Sequence, residues 1–271
     1  MKIFAFLFFA LGLLLAPARA AMTDWTEVQG GAVRLVASGP ASDGTYEAGL
    51  EFLLDQGWHT YWKHPGEAGI PPQVSFDGSV NLGSAEILYP APERYDDGFS
   101  QSIVYHNGIV LPIRVTPATA GKPVTLSMNV FFGICNEICV PGDADLTLAL
   151  APQMRSDSLA ATLIGRDLSA VPQAATEGQI DVGPLAGQPQ TLLIRVRNSN
   201  LDKIDVFAAG PEGSYIGMPK PLRQDGADSL WSMGTKGLAK TGSGSVLNVV
   251  MTSQDGAVEH VAEIPGDWLQ P

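Results

Sequence analysis

Residues 45–54 alternate in character: Tyr46, Ala48, Leu50, Phe52 and Leu54 fall on one side, Thr45, Glu47 and Glu51 on the other. A period of two is the signature of a strand with one face buried. Further strands are predicted over 58–62, 85–89, 109–115, 124–132 and 144–150. Turn-forming pairs separate them: Asp77-Gly78, Asp97-Gly98, Asn107-Gly108, Ala120-Gly121 and Pro141-Gly142. Asn107-Gly108, set between two apolar runs, predicts a hairpin. Residues 156–171 break the rhythm, because Leu159, Leu163, Ile164 and Leu168 recur at helical spacing. Ser156, Asp157 or Ser158 stands ready to cap that helix, and Pro172 ends it. Residues 173–190, rich in Gly, Pro and Gln, read as a linker. Strand patterning resumes over 191–197, 204–208, 229–233, 246–252 and 258–264. The expectation is an all-β chain: one sandwich over 21–152, a helix and linker over 153–190, and a second, smaller sandwich over 191–271.

Composition narrows the function. Of the 271 residues, 45% are hydrophobic, enough to build a core and to exclude disorder. Sixteen Lys and Arg against 28 Asp and Glu give a net charge of −12. No basic stripe is available for a phosphate backbone, so nucleic acid is excluded as a partner. No G-x-S-x-G, H-E-x-x-H, Walker or dinucleotide motif occurs, which leaves hydrolase and nucleotide chemistry without support. The first 20 residues read as a secretory signal: Lys2, an apolar run over 3–16, then the small-x-small pattern Ala18-Arg19-Ala20. That apolar run is shorter than the ~20 residues that span a bilayer. The expectation is therefore a periplasmic protein with no membrane span once the signal is cleaved.

An oxidising compartment turns attention to the two cysteines. They lie in Phe131-Phe132-Gly133-Ile134-Cys135-Asn136-Glu137-Ile138-Cys139-Val140-Pro141-Gly142. On one straight strand, residues four apart are ~13 Å apart, too far to bridge. A helix could bring them together, but Val140-Pro141-Gly142 would stop it at once. A hairpin tip is the better solution, with Cys135 ending one strand, Cys139 starting the next, and Asn136-Glu137-Ile138 as the turn. Facing residues there have Cα atoms ~4.5–5.5 Å apart, within the range of a disulfide. As a staple the bond would close a loop of about five residues and contribute only about 2 kcal/mol, which a chain of this size hardly needs. A redox-active pair is the leading reading. A copper site using both thiolates with His59, His64 or His106 is an alternative, as is a non-catalytic binding module with passive cysteines.

The blocks Gly57-Trp58-His59-Thr60-Tyr61-Trp62-Lys63-His64-Pro65-Gly66-Glu67-Ala68-Gly69-Ile70-Pro71-Pro72, Tyr89-Pro90-Ala91-Pro92, Tyr105 with Leu111-Pro112, and 135–141 occur in this order. With them the first half resembles the N-terminal periplasmic domain of the thiol:disulfide interchange protein DsbD, most closely in its ScsB-type relatives. Residues 191–264 are similar to the extra domain of those relatives. The resemblance implies immunoglobulin-like sandwiches and assigns Cys135 and Cys139 as the redox pair, with no cofactor and no metal. It implies electrons taken from a membrane-embedded thiol reductant and passed to periplasmic thioredoxin-like proteins. It also implies a cap loop shielding the pair, here Asp96, Asp97, Gly98 and Phe99. Gly98 aligns with the family's cap aromatic, and Phe99 falls one residue on.

Other candidates have plainer readings. Trp58, Tyr61 and Trp62 read as core, and His59 and His64 as polar surface or loop residues. Asp96 and Asp97 could raise a nearby thiol pKa by charge repulsion, or simply sit in a solvated turn. The second half carries no cysteine and only His260, so the chemistry is expected in the first half. A mobile linker there would let the second sandwich orient the first toward a partner.

Overall fold

A computed structural model describes residues 21–270. The predicted signal, residues 1–20, lies outside the described residues. The first sandwich pairs two antiparallel sheets. One holds β1 (Thr26–Val28), β2 (Gly31–Pro40), β3 (Tyr46–Leu54), β9 (Ile109–Pro117) and β6 (Leu82–Ile87), in that spatial order. The other runs β11 (Cys139–Leu150), β10 (Val124–Cys135), β4 (His59–Gly66), β8 (Gln101–His106), β7 (Glu93–Asp96), with β5 (Gln73–Ser75) also paired to β10. The alternation read in the sequence does its work here: Tyr46, Ala48, Leu50, Phe52 and Leu54 all enter the core between the sheets. Phe52 and Phe132 meet there edge to face, ring centroids 5.1 Å apart.

The helix α1 (Ser158–Leu168) covers the outer face of the first sheet. Asp157 caps it, accepting from the Ala160 N–H at 2.9 Å. Ala160 and Ile164 bury against Val36 and Val110, whereas Leu159, expected on the apolar stripe, is exposed. The buried Asp167 carboxylate accepts from the Val110 N–H at 2.6 Å and holds Arg166.

The second sandwich has one sheet in the order β12 (Gln173–Ala174), β19 (Gly256–Ile264), β18 (Ser245–Ser253), β15 (Ile204–Ala209). The other runs β13 (Ile180–Pro184), β14 (Thr191–Val196), β17 (Asp228–Gly234), β16 (Lys220–Asp225). Two expectations change. The stretch read as linker contains β12 and β13, so residues 173–184 are part of the second sandwich; its Gly and Pro content hid a strand that pairs with β14. Asn107-Gly108 is not a hairpin turn. Both residues have positive φ, 61° and 87°, as such a turn would need, but β8 and β9 pair in different sheets, so the turn carries the chain across the sandwich.

Apolar packing does not stop at the sandwich boundary. Phe207, Ala209, Met218 and Val250 from the second sandwich belong to the same buried cluster as Trp62 and the first core. The approach is close at Gly66, where φ is +84° and a Cβ would stand 2.9 Å from the Met218 sulfur. Polar ties join in. Lys63 Nζ donates to Asn248 Oδ1 at 3.1 Å, and His64 Nε2 donates to the Ile216 carbonyl at 3.0 Å. Burial lowers the pKa of both side chains.

Candidate functional site

The β10–β11 hairpin places the cysteines as the sequence predicted. Cys135 and Cys139 are register partners at its tip, Cα atoms 4.1 Å apart, joined by a disulfide. Asn136-Glu137-Ile138 turns the chain, closed by the Asn136 N–H donating to the Ile138 carbonyl. The two cysteines differ in environment. Cys135 is 1% exposed, whereas Cys139 is exposed to solvent beside Ile138, itself 65% exposed.

The register carries this row onward. Cys135 faces His59 on β4, and His59 faces His106 on β8. Tyr61, two residues along β4 from His59, therefore shares its face. Its hydroxyl lies 2.8 Å from Cys135 Sγ and 3.1 Å from Cys139 Sγ. Burial, with smaller contributions from Asp97 and Tyr95, raises its pKa to about 12, so the hydroxyl remains a proton donor at neutral pH. Two glycines leave room for the ring. A Cβ on Gly69 would come within 2.1 Å of it, and one on Gly133 within 3.2 Å.

Tyr95 and the two histidines complete the cover. The His59 ring lies 4.9 Å from Tyr95 and 5.5 Å from His106, and His106 Nδ1 donates to Glu93 at 3.0 Å. His59 is buried, as is His64, so neither is the surface residue expected. Their cover comes from strands and a second sandwich distant in sequence, which a local pattern does not reveal. Burial, then the His106 charge, lowers the His59 pKa to about 4; Asp97 works against both.

The 96–100 loop stands beside this cluster. Asp96 accepts from the Gly98 N–H, and Asp97 from the N–H groups of Phe99 and Ser100. Both carboxylates are thereby held below their usual pKa: Asp96 chiefly by the Gln101 side chain, Asp97 by the Ser100 and Phe99 amides. Asp97 is near enough to act electrostatically on His59 and Tyr61. Phe99 is fully exposed and covers nothing. The side chain packed with Cys135 is Tyr61, flanked by Val104 and Tyr95. Tyr61 is buried, as its place in the strand predicts, and its hydroxyl is the clue to more, since a buried phenol needs a polar partner. Among the described residues no cluster of three or more His, Cys, Asp or Glu is arranged to hold a metal ion, and no helix is long and apolar enough to cross a membrane.

A disulfide at the tip of a sandwich hairpin, backed by a tyrosine, agrees with a family match over residues 32–151, to the model described as "Thiol:disulfide interchange protein DsbD, N-terminal". Residues 32–151 are a DsbD N-terminal domain. The fold of the whole chain is also found in the crystal structure of the N-terminal periplasmic domain of ScsB from Proteus mirabilis. That match has a TM-score of 0.70 at 19% identity and covers 90% of this chain and 98% of that one. Its extent takes in both immunoglobulin-like sandwiches. A marsupial T cell receptor aligns over 88% of this chain and 98% of its own, at 10% identity and a TM-score of 0.22, too low to carry an argument. No curated protein matches the sequence.

Proposed function

We propose that this protein is a periplasmic thiol–disulfide exchange protein, relaying electrons from a membrane-embedded thiol reductant to thioredoxin-like partners through Cys135 and Cys139. The observation that carries the reading is the asymmetry of the disulfide: one exposed cysteine, one buried, and a phenol hydroxyl within 3.1 Å of both sulfurs. A thiolate from the reductant attacks Cys139 Sγ along the open side. The S–S bond breaks and Cys135 leaves as a thiolate, which the Tyr61 hydroxyl stabilises by donating to it until a proton arrives from solvent. A second thiolate of the reductant attacks the mixed disulfide and releases Cys139 reduced. Two electrons have then moved, and the reductant is oxidised to its own disulfide. In the second half-cycle the Cys139 thiolate attacks a partner's disulfide, and Cys135 resolves the new mixed bond.

Trapping tests this. With Cys135→Ser, the remaining Cys139 thiolate should displace thionitrobenzoate from a thioredoxin-like protein that keeps one cysteine of its pair, activated as its thionitrobenzoate disulfide, and form a stable mixed disulfide with it. With Cys139→Ser, the yield should be much lower, because Cys135 is buried. Equal yields from the two variants would abolish the assignment, and a higher yield from Cys139→Ser would reverse it. Two free thiols in purified wild-type protein that no mild oxidant joins would overturn the mechanism.

A further inference from the structure

The second sandwich contains no cysteine, yet it grips the element beside the disulfide. Arg94, on β7, directs Nε and Nη2 of its guanidinium across the boundary. Nε and Nη2 donate to the Asp205 carboxylate, the closest contact at 2.7 Å, and Nη2 also donates to the carbonyls of Val206 and Pro219, both at 3.1 Å. The same group lies 5.6 Å from the centre of the Phe207 ring, and its Nη1 donates to Gln101 on β8 at 3.1 Å. A planar fork held on a carboxylate and two carbonyls fixes orientation as well as distance.

A second tie holds the other strand of the same hairpin. The Tyr215 hydroxyl of the second sandwich donates to the Glu67 carbonyl at 3.0 Å. Glu67 in turn accepts from the Gln101 N–H through its carboxylate and donates its own N–H to the Gln101 carbonyl. Gln101 Nε2 continues to Asp96 at 3.0 Å. The β7–β8 hairpin is thus held at Arg94 on one strand and at Gln101 on the other. Between the two ties it carries Tyr95, which packs on His59 and the Tyr61–Cys135 cluster, and the 97–100 loop.

We propose that the second sandwich is a brace for the β7–β8 hairpin, with Arg94 and Asp205 as positioning residues that set how the hairpin stands beside the disulfide. Rigid placement of Tyr95 keeps the buried sulfur of Cys135 covered, and rigid placement of the 97–100 loop presents one fixed surface to a protein partner. The proposal rests on the exchange reading of the cysteines for its kinetic consequence, and on geometry alone for the brace itself.

Asp205→Ala in the full chain separates the two. Asp205 touches neither sulfur nor any residue in contact with one, and its loss removes the charged anchor from Arg94. The expected result is amide hydrogen exchange at 95–101 about tenfold faster, with the remaining core unchanged. Reduction by dithiothreitol should become about fivefold faster as Tyr95 loosens, while reduction by a thioredoxin with a reduced Cys-x-x-Cys pair should slow. Asp205→Glu should restore part of each. A lower Tm with unchanged exchange at 95–101 would overturn the brace. Faster amide exchange with both reduction rates unaltered would overturn its role at the disulfide. Should Asp205→Ala not fold, Tyr215→Phe removes only an exposed hydroxyl from the second tie and is read by the same measurements. A wild-type protein that dithiothreitol reduces but thioredoxin does not would count against the relay reading, and the amide-exchange result would still decide the brace.

Discussion

A phenol hydroxyl within hydrogen-bond distance of two sulfurs changes what happens when their bond breaks. The thiolate released at Cys135 is buried, and a buried charge without a donor is costly. Tyr61→Phe keeps the ring between Gly69 and Gly133 but removes that donor. A hydrogen bond to a charged group contributes about 1.5–3 kcal/mol, so reduction by dithiothreitol should slow by about ten- to a hundredfold at unchanged Tm. An unchanged rate would show that solvent alone stabilises the thiolate. His59 gives a pH signature. Its folded pKa of about 4 lies below the ordinary imidazole value of 6.5, so between these values the unfolded chain binds the extra proton. Stability from this residue is intact above pH 6.5 and falls as the pH drops toward 4. His59→Gln should flatten that part of the curve of unfolding free energy against pH, measured beside wild type in denaturant. Neither residue's role was legible in sequence: spacing along β4 reveals a shared face, but what lies over that face comes from β7, β8 and β10.

At the scale of elements, the cysteine hairpin was readable because three local facts agreed: a four-residue spacing, a stop at Val140-Pro141-Gly142 and apolar strands on both sides. Asn107-Gly108 was misleading for a related reason. Turn residues dictate positive φ, and both residues adopt it, yet turn chemistry does not determine which sheet receives the next strand. The strand at 180–184 was hidden by its composition and is held by the partner it pairs with. The cysteine hairpin itself should not depend on its disulfide. Its strands pair continuously from Val124 with Leu150 to the tip. Replacing both cysteines with serine should leave the far-ultraviolet spectrum unchanged and lower unfolding free energy by about 2 kcal/mol, the loop-closure value for about five residues. A loss of 5 kcal/mol or more would mean the bond organises more of the sandwich than its loop.

For the whole molecule, two sandwiches and a helix were foreseeable from the switch between periods of two and 3.6. The packing between them was not, because Trp62 reads simply as core and Phe207 only as one residue of a strand over 204–208, with nothing in either pattern to join them. A fragment ending near residue 152 would leave Trp62 without Phe207, and Val36 and Val110 without Ala160 and Ile164. Each large apolar side chain uncovered costs about 1.5–3 kcal/mol, against a typical total stability of about 5–15 kcal/mol. We expect that fragment to lose its near-ultraviolet signal and cooperative melting; a sharp transition near that of the full chain would show that the first sandwich stands alone. The exposure of Cys139 and burial of Cys135 also bear on traffic through the proposed relay. In that scheme a single open sulfur makes donor and acceptor use the same berth in turn, so that they do not occupy the protein together. Turnover should follow ping-pong kinetics, and a large excess of oxidised acceptor should slow reoxidation of the donor rather than speed it, because each would be waiting for the other to leave.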